Sequence, residues 1–216
     1  MKRGAFITIE GGEGVGKTTS LTAIEAFLRH RDLAVTMTRE PGGTPLGEQV
    51  RAWILDGDHG ALSAEVESLL MFAARAEHLE KVIRPALEAG RWVVCDRFTD
   101  ATFAYQGGGR GADPAFLEQL SAAVQRGLEP DLTILLDAPV AVGMARIADR
   151  PHDHFERESN AFFEQVRSTY LARAERFPDR FRIVDATLGP SDVCRAIDTV
   201  LDAFCDTFPA REAVAG

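Results

Sequence analysis

The chain has little cysteine. Only Cys95, Cys194 and Cys205 occur among its 216 residues. They are widely spaced and odd in number, with no C-x-x-C pair. Neither a disulfide framework nor a structural zinc site is expected, and a reducing cytoplasm is the expected compartment. Long apolar runs are missing too. No stretch approaches bilayer-spanning length. Met1-Lys2-Arg3-Gly4 leads straight into the first predicted strand, without the apolar core and cleavage site of a secretory signal. No membrane partner is expected. Positive charge is in deficit: 24 Lys and Arg against 33 Asp and Glu leave a formal net charge of -9. Proteins that grip nucleic acid through its phosphates are usually basic, so bulk DNA or RNA binding is not expected. A small basic pocket for one nucleotide remains compatible with this balance. No internal repeat or low-complexity segment is visible.

What is present suits one globular α/β domain spanning residues 1–216, with 45% hydrophobic and 26% charged residues. The most informative stretch is Gly11-Gly12-Glu13-Gly14-Val15-Gly16-Lys17-Thr18. It follows the apolar alternating run Ala5–Ile9 and precedes a helical pattern that reaches about His30. This is G-x-x-x-x-G-K-[ST] between strand and helix. Glycines let successive backbone N–H groups turn inward, and the helix N-terminus adds positive potential, which makes an anion site. Lys17 supplies charge to the outer phosphates, and Thr18 offers a hydroxyl to Mg²⁺.

Four further short apolar runs read as strands: 34–38, 92–95, 132–136 and 181–184. Helical patterns separate them, at 46–55, 63–89, 99–105, 114–125, 140–148, 159–177 and from Ser191 to about Phe204. Pro85 is expected to kink or divide the long 63–89 stretch, and the glycine-rich 106–111 segment reads as a loop. The alternation predicts a five-stranded parallel sheet with helices on both faces and right-handed crossovers. Residues 149–158, dense in charge and histidine, read as a mobile surface segment between two helices.

In such sheets ligands bind at the carboxyl ends of the strands. Arg39, Glu40, Asp96, Arg97, Asp137 and Asp185 fall there, and Arg51 and Arg75 lie on adjoining helices. That is what a phosphotransferase needs: arginines to neutralise an acceptor phosphate, and a carboxylate to hold Mg²⁺ or polarise the acceptor. Plainer readings stand beside these. Asp96 and Asp137 suit helix capping, Arg75 a helix surface charge, and Tyr105 and Phe72 the core. His30, His59 and His78 read as solvated.

Several motifs in order carry a resemblance to bacterial thymidylate kinases over nearly the full length. They are the glycine loop, Arg39-Glu40-Pro41-Gly42-Gly43-Thr44, Leu70–Arg75, Asp96-Arg97-Phe98, Ala104–Gly111 and Asp185-Ala186-Thr187. The resemblance implies a P-loop nucleotide kinase fold, a homodimer, and Mg²⁺-dependent transfer from ATP to thymidine 5′-monophosphate (dTMP) in dTTP synthesis. It implies that Gly11–Thr18, Asp185 and Thr187 bind ATP, and that Thr18 and Asp96 hold the metal. For the acceptor it implies Arg39, Arg51, Arg75, Arg97, Thr102, Tyr105 and Gln106, with Met71 or Phe72 packing on thymine. Lys17, Glu13, Asp96 and Arg97 are the implied catalytic set.

The sequence departs from the family in two places. Met71 stands where a phenylalanine is usual. Gly14 stands where other members carry a loop arginine, so an arginine from a lid at about 149–158 is implied. The lid pattern Asp-Arg-x-Glu reads Asp153-His154-Phe155-Glu156 here. Arg150 is the favoured substitute, with Arg146 and Arg157 as alternatives. Two rival readings are a different acceptor, such as deoxyuridylate or a deoxynucleoside, and a P-loop switch. The missing N-K-x-D motif weighs against a guanine-nucleotide switch.

Overall fold

The computed structural model describes residues 3–56, 62–148 and 158–208. Five strands form one sheet: β1 (Phe6–Gly11), β2 (Val35–Arg39), β3 (Trp92–Asp96), β4 (Leu132–Asp137) and β5 (Phe181–Asp185). Their order is β2-β3-β1-β4-β5, and every pairing is parallel. β1 is central, between strands that the chain reaches in opposite directions. Its carboxyl end is therefore the switch point where ligand crevices form in α/β sheets. Ile9 and Arg39 both pair with Asp96 in the register, so one level of the sheet edge carries the second strand's arginine and the third strand's acid.

Both faces are covered. On one, α1 (Lys17–His30) and α9 (Pro190–Thr207) press Ile24, Leu28, Val193, Ile197 and Leu201 onto Ile7, Ile9, Val94 and Ile134. The other face packs against α2 (Pro45–Asp56), α3 (Ala64–His78), α4 (Arg84–Glu88), α5 (Thr99–Thr102), α6 (Pro114–Gln125), α7 (Val140–Ile147) and α8 (Asn160–Arg176). Strand alternation decides which side each residue takes. It sends Thr8 and Glu10 of β1 to the second face, where both are fully buried.

One predicted stretch is divided near its proline as expected, and another comes out differently. The 63–89 stretch is helical throughout, starting at the Ser63 cap, whose side chain accepts from the Val66 N–H. Between α3 and α4 lies a π-helical turn, Leu79–Ile83. Pro85 has no N–H to give its preceding turn, and the wider turn accommodates its ring. The glycine-rich segment is not a loop. Phe103–Gly109 continues α5 as a π-helix packed against α8. A β-carbon on Gly108 would lie 2.1 Å from Thr169 Oγ1 and 2.9 Å from the Gln165 carbonyl oxygen. Glycine is there for close helix approach rather than for flexibility.

Candidate active site

The glycine loop connects β1 to α1 at the switch point. Val15 anchors it, buried in the core beneath α1. Gly16 precedes the helix with φ of 91°. Lys17 folds back over the loop, its Nζ donating to the Gly12 carbonyl at 2.8 Å and the Gly11 carbonyl at 3.2 Å. Burial, with Arg97 close by, pulls its ammonium below the ordinary lysine range. An ammonium held this way gains from an arriving polyphosphate.

The loop meets α7 with no side chain between them. A β-carbon on Gly14 (φ 68°) would sit 2.0 Å from the Gly143 carbonyl oxygen. One on Gly143 would sit 2.2 Å from the Glu13 carbonyl. Arg146, one turn on, donates to the Ala186 carbonyl at 2.8 Å and lies 3.5 Å from that of Gly14. It ties the loop to the turn after β5. In that turn Asp185 Oδ1 accepts from the N–H and hydroxyl of Thr187, which holds the carboxyl below its ordinary value.

A cavity of about 530 Å³ opens in front of the loop. Glu13–Thr18 and Arg146 line it together with Arg51, Met71, Arg97, Tyr105 and Gln106. Arg97 is the most constrained of these. Its backbone takes φ of 66°, unusual for a side-chain-bearing residue. Its Nη2 donates to Glu13 Oε1 at 2.6 Å, and its Nη1 donates to the Gly11 carbonyl at 3.0 Å and to Tyr170 Oη at 3.2 Å. The guanidinium lies over the Tyr105 ring, 4.6 Å from its centre, while Tyr105 donates to the same Glu13 oxygen at 2.7 Å. Arg51 donates to the Pro41 carbonyl at 3.2 Å; burial and the neighbouring Arg39 lower its pKa. Asp96 has a buried Oδ1 with no partner among the described residues.

Beside the cavity lies a buried polar chain. Glu40, 3% exposed, lines the cavity. It accepts from Arg75 Nε at 2.7 Å and pairs with His78 Nδ1 at 2.9 Å. His78 Nε2 meets Thr38 Oγ1 at 2.6 Å, and Arg75 Nη2 donates to Thr102 Oγ1 at 2.9 Å. Arg75 also lies over the Phe72 and Phe98 rings, at 4.6 and 5.0 Å. Its Nη1 is buried without a partner among the described residues. A buried unmatched donor is costly, so this one is suited to a ligand acceptor.

The predicted residues divide as follows. Residues 13–18 of the loop, Arg51, Met71, Asp96, Arg97, Tyr105 and Gln106 share one cavity, whose lining does not include Gly11, Gly12, Asp185 or Thr187. Arg75 and Thr102 do not line it; Arg75 bonds both Thr102 and Glu40, and only Glu40 reaches the cavity. Arg75 is fully buried and not a helix surface charge. Of the two candidate thymine platforms, Met71 lines the cavity. Phe72, one helical step of about 100° away, turns into a core with Phe103 and Leu117. Arg39 is exposed and paired with Glu48 at 2.8 Å, outside the cavity lining. Asp137 neither caps α7 nor reaches the cavity, because Arg167 takes both its oxygens at 2.8 and 2.9 Å. His78 is buried rather than solvated; His30 is exposed as expected. Arg150, Arg157, His154, His59 and nearly all of the lid lie outside the described residues. Glu10, Tyr170 and Gly143 escaped the sequence reading. Glu10 had a signal, a carboxylate ending the apolar run Ile7-Thr8-Ile9; Tyr170 and Gly143 resemble ordinary helix residues.

A glycine loop of the polyphosphate-binding kind thus shares one cavity with Arg51 and Arg97. That combination defines a P-loop phosphotransferase of the nucleotide-kinase type. Comparison narrows the class. A sequence model of thymidylate kinase matches residues 9–197. A thymidylate kinase from Nitrosomonas europaea is 54% identical over 205 residues, covering 94% of this chain and 95% of that one. One from Pseudomonas savastanoi is 53% identical over 199 residues, covering 92% and 95%. The crystal structure of thymidylate kinase from Ehrlichia chaffeensis superposes with a TM-score of 0.77 at 31% identity, covering 92% of this chain and 99% of that one. The chain belongs to the thymidylate kinase family.

Proposed function

We propose that the chain transfers the γ-phosphoryl group of ATP to dTMP, giving dTDP on the route to dTTP. The observation that carries this reading is the single cavity that Lys17 and the glycine loop share with Arg97, Arg51, Tyr105 and Met71. The loop amides and Lys17 bind the ATP phosphates, and Asp185 and Thr187 flank the adenine side. Arg97, assisted by Arg51 and Arg39, neutralises the acceptor phosphate so that it can approach the γ-phosphate in line. Glu13 fixes Arg97 and Tyr105 relative to the loop, because one carboxylate oxygen accepts from both. Met71 packs on the base and Tyr105 under the sugar. Arg75 Nη1 and Gln106 meet the base's polar edge, and Thr102 steadies Arg75. Arg150 supplies the charge that Gly14 does not.

Thr18 and Asp96 fit Mg²⁺. Among the described residues no group of three or more His, Cys, Asp or Glu stands ready for a metal, so the ion would arrive with phosphate oxygens, as magnesium usually does. The orphaned Asp96 Oδ1 matches that role. When bound, Mg²⁺ neutralises charge developing on the phosphates.

The chain is proposed to act as a homodimer. Leu46 and Trp53 of α2 and Val66 and Leu69 of α3 are exposed apolar side chains on two helices that pack together, a natural interface. Sedimentation equilibrium measures this directly. No helix of the described residues is long and apolar enough to cross a membrane; the cytoplasm is the proposed compartment, on the grounds of the few, widely spaced cysteines. Side-by-side kinetics with dTMP, deoxyuridylate and thymidine test the acceptor. The highest kcat/KM is expected for dTMP, and ATP binding without acceptor-dependent ADP release would favour the switch reading.

A further inference from the structure

We infer that Glu10 and Tyr170 form a positioning relay that holds Arg97 at both ends; the inference rests on the reading of Arg97 as the acceptor-phosphate clamp. Glu10 is fully buried at the end of β1, one residue before the loop. Its Oε1 accepts the backbone N–H of Phe98 at 2.8 Å. Its Oε2 accepts the Tyr170 hydroxyl at 2.8 Å, and that hydroxyl accepts Arg97 Nη1 at 3.2 Å. One carboxyl group therefore fixes the peptide that follows Arg97 and, through one phenol, the guanidinium itself.

Arg97 needs both holds. Its left-handed backbone, φ 66°, is sparsely populated for a side-chain-bearing residue and persists only where surroundings impose it. The bond from Phe98 N to Glu10 is such an imposition, made at the adjacent peptide. A guanidinium on a long stem has several rotamers, and its freedom must be lost before it can meet a phosphate. Tyr170 sets one nitrogen while Glu13 sets another. Burial pushes the Tyr170 phenol well above its ordinary pKa, so it stays protonated and serves as donor to Glu10 and acceptor from Arg97. The relay comes from three places, the end of β1, the turn after β3 and the middle of α8, and meets only in the fold.

The test uses the full-length enzyme and four variants: Tyr170→Phe, Glu10→Gln, Arg97→Ala and the Arg97→Ala/Tyr170→Phe double. Phenylalanine keeps the ring and removes only the relay atom. The expected result is a rise of about fivefold or more in KM for dTMP in Tyr170→Phe, the size of one lost hydrogen bond, with KM for ATP within about twofold and a melting temperature that, though lowered by the unpaired Glu10 oxygen, stays above the assay temperature. Glu10→Gln should move the same constant in the same direction. In the Arg97→Ala background, Tyr170→Phe should add nothing, which a purely structural role would not produce. If Arg97→Ala weakens dTMP binding while Tyr170→Phe does not, or if their effects add, the relay is overturned and the clamp stands. If Arg97→Ala leaves KM for dTMP unchanged, the clamp reading fails and the relay with it.

Discussion

Gly14 and Gly143 meet backbone to backbone. A β-carbon on either would fall 2.0 to 2.2 Å from a carbonyl oxygen of the other's segment. The phosphate loop and α7 are therefore seated on each other, and the seat has no room for a side chain at position 14. An arginine there would have to lift the loop off α7. This gives the missing loop arginine a structural reason.

Gly143→Ala should act on the donor side. Overpacking of this kind costs about 1–3 kcal/mol, equivalent to roughly a tenfold rise in KM for ATP. KM for dTMP should stay within about twofold. Initial-rate kinetics check this, and an unchanged ATP constant would mean that the loop yields without consequence.

Arg150→Ala should separate turnover from binding. With glycine at position 14, the transition-state charge has to come from elsewhere, and Arg146 is already engaged by the Ala186 carbonyl. A fall in kcat of about a hundredfold or more is expected from losing such an arginine, with KM for dTMP little altered. A wild-type kcat would pass the role to Arg157.

The Glu40–Arg75 pair is a stability element as well as a support behind the cavity that Glu40 lines. Both side chains are buried, at 3% and 0% exposure. Arg75→Met should therefore cost about 3–5 kcal/mol by leaving a carboxylate without its partner. The double variant Arg75→Met/Glu40→Met should recover at least half of that in urea unfolding, although neither variant should bind dTMP normally. Additive losses would argue against the pairing as the source.

Glu10 should leave a mark on the pH dependence of stability. Burial, followed by the charge of Asp100, lifts its carboxyl from 4.5 to about 7, against the opposing influence of Arg97, Tyr170 and the Phe98 N–H. The folded chain thus holds a proton that the unfolded chain has released between those values. This contribution is fully present below about pH 4.5 and is lost as pH rises through 7, a difference on the order of 3 kcal/mol. Asp100, held by Arg173 and Arg180, shifts the opposite way, so the readout is the difference between wild type and Glu10→Gln. Across pH 4.5 to 7 the wild type should lose stability relative to the variant. Parallel curves would contradict the assignment.

The sheet, the loop and most strand-end residues were legible because they depend on local pattern: alternation, glycine spacing and strand-to-helix order. The errors arose where tertiary contact overrides local chemistry. Gly107-Gly108-Gly109 reads as a flexible turn, yet α8 leaves space at Gly108 and Gly109 only for glycine, and the segment winds into a π-helix. His78 and Arg75 look like solvated helix residues, but Glu40, just past the end of β2, pairs with both. Phe72 and Met71 are neighbours in sequence and separate on the helix, which periodicity near a motif does not resolve. Tyr170 has the spacing of a core residue, and its role comes from where its hydroxyl ends.

The account rests on phosphoryl leaving a nucleotide on Gly11–Thr18 for an acceptor held by Arg97. Product analysis with γ-labelled ATP, dTMP and Mg²⁺, comparing wild type with Lys17→Ala, tests this most directly. The account predicts labelled dTDP and ADP in equal amounts from the wild type, and none from a Lys17→Ala protein that melts at the same temperature. Label released only as inorganic phosphate regardless of dTMP, or dTDP formed equally well without Lys17, would contradict it.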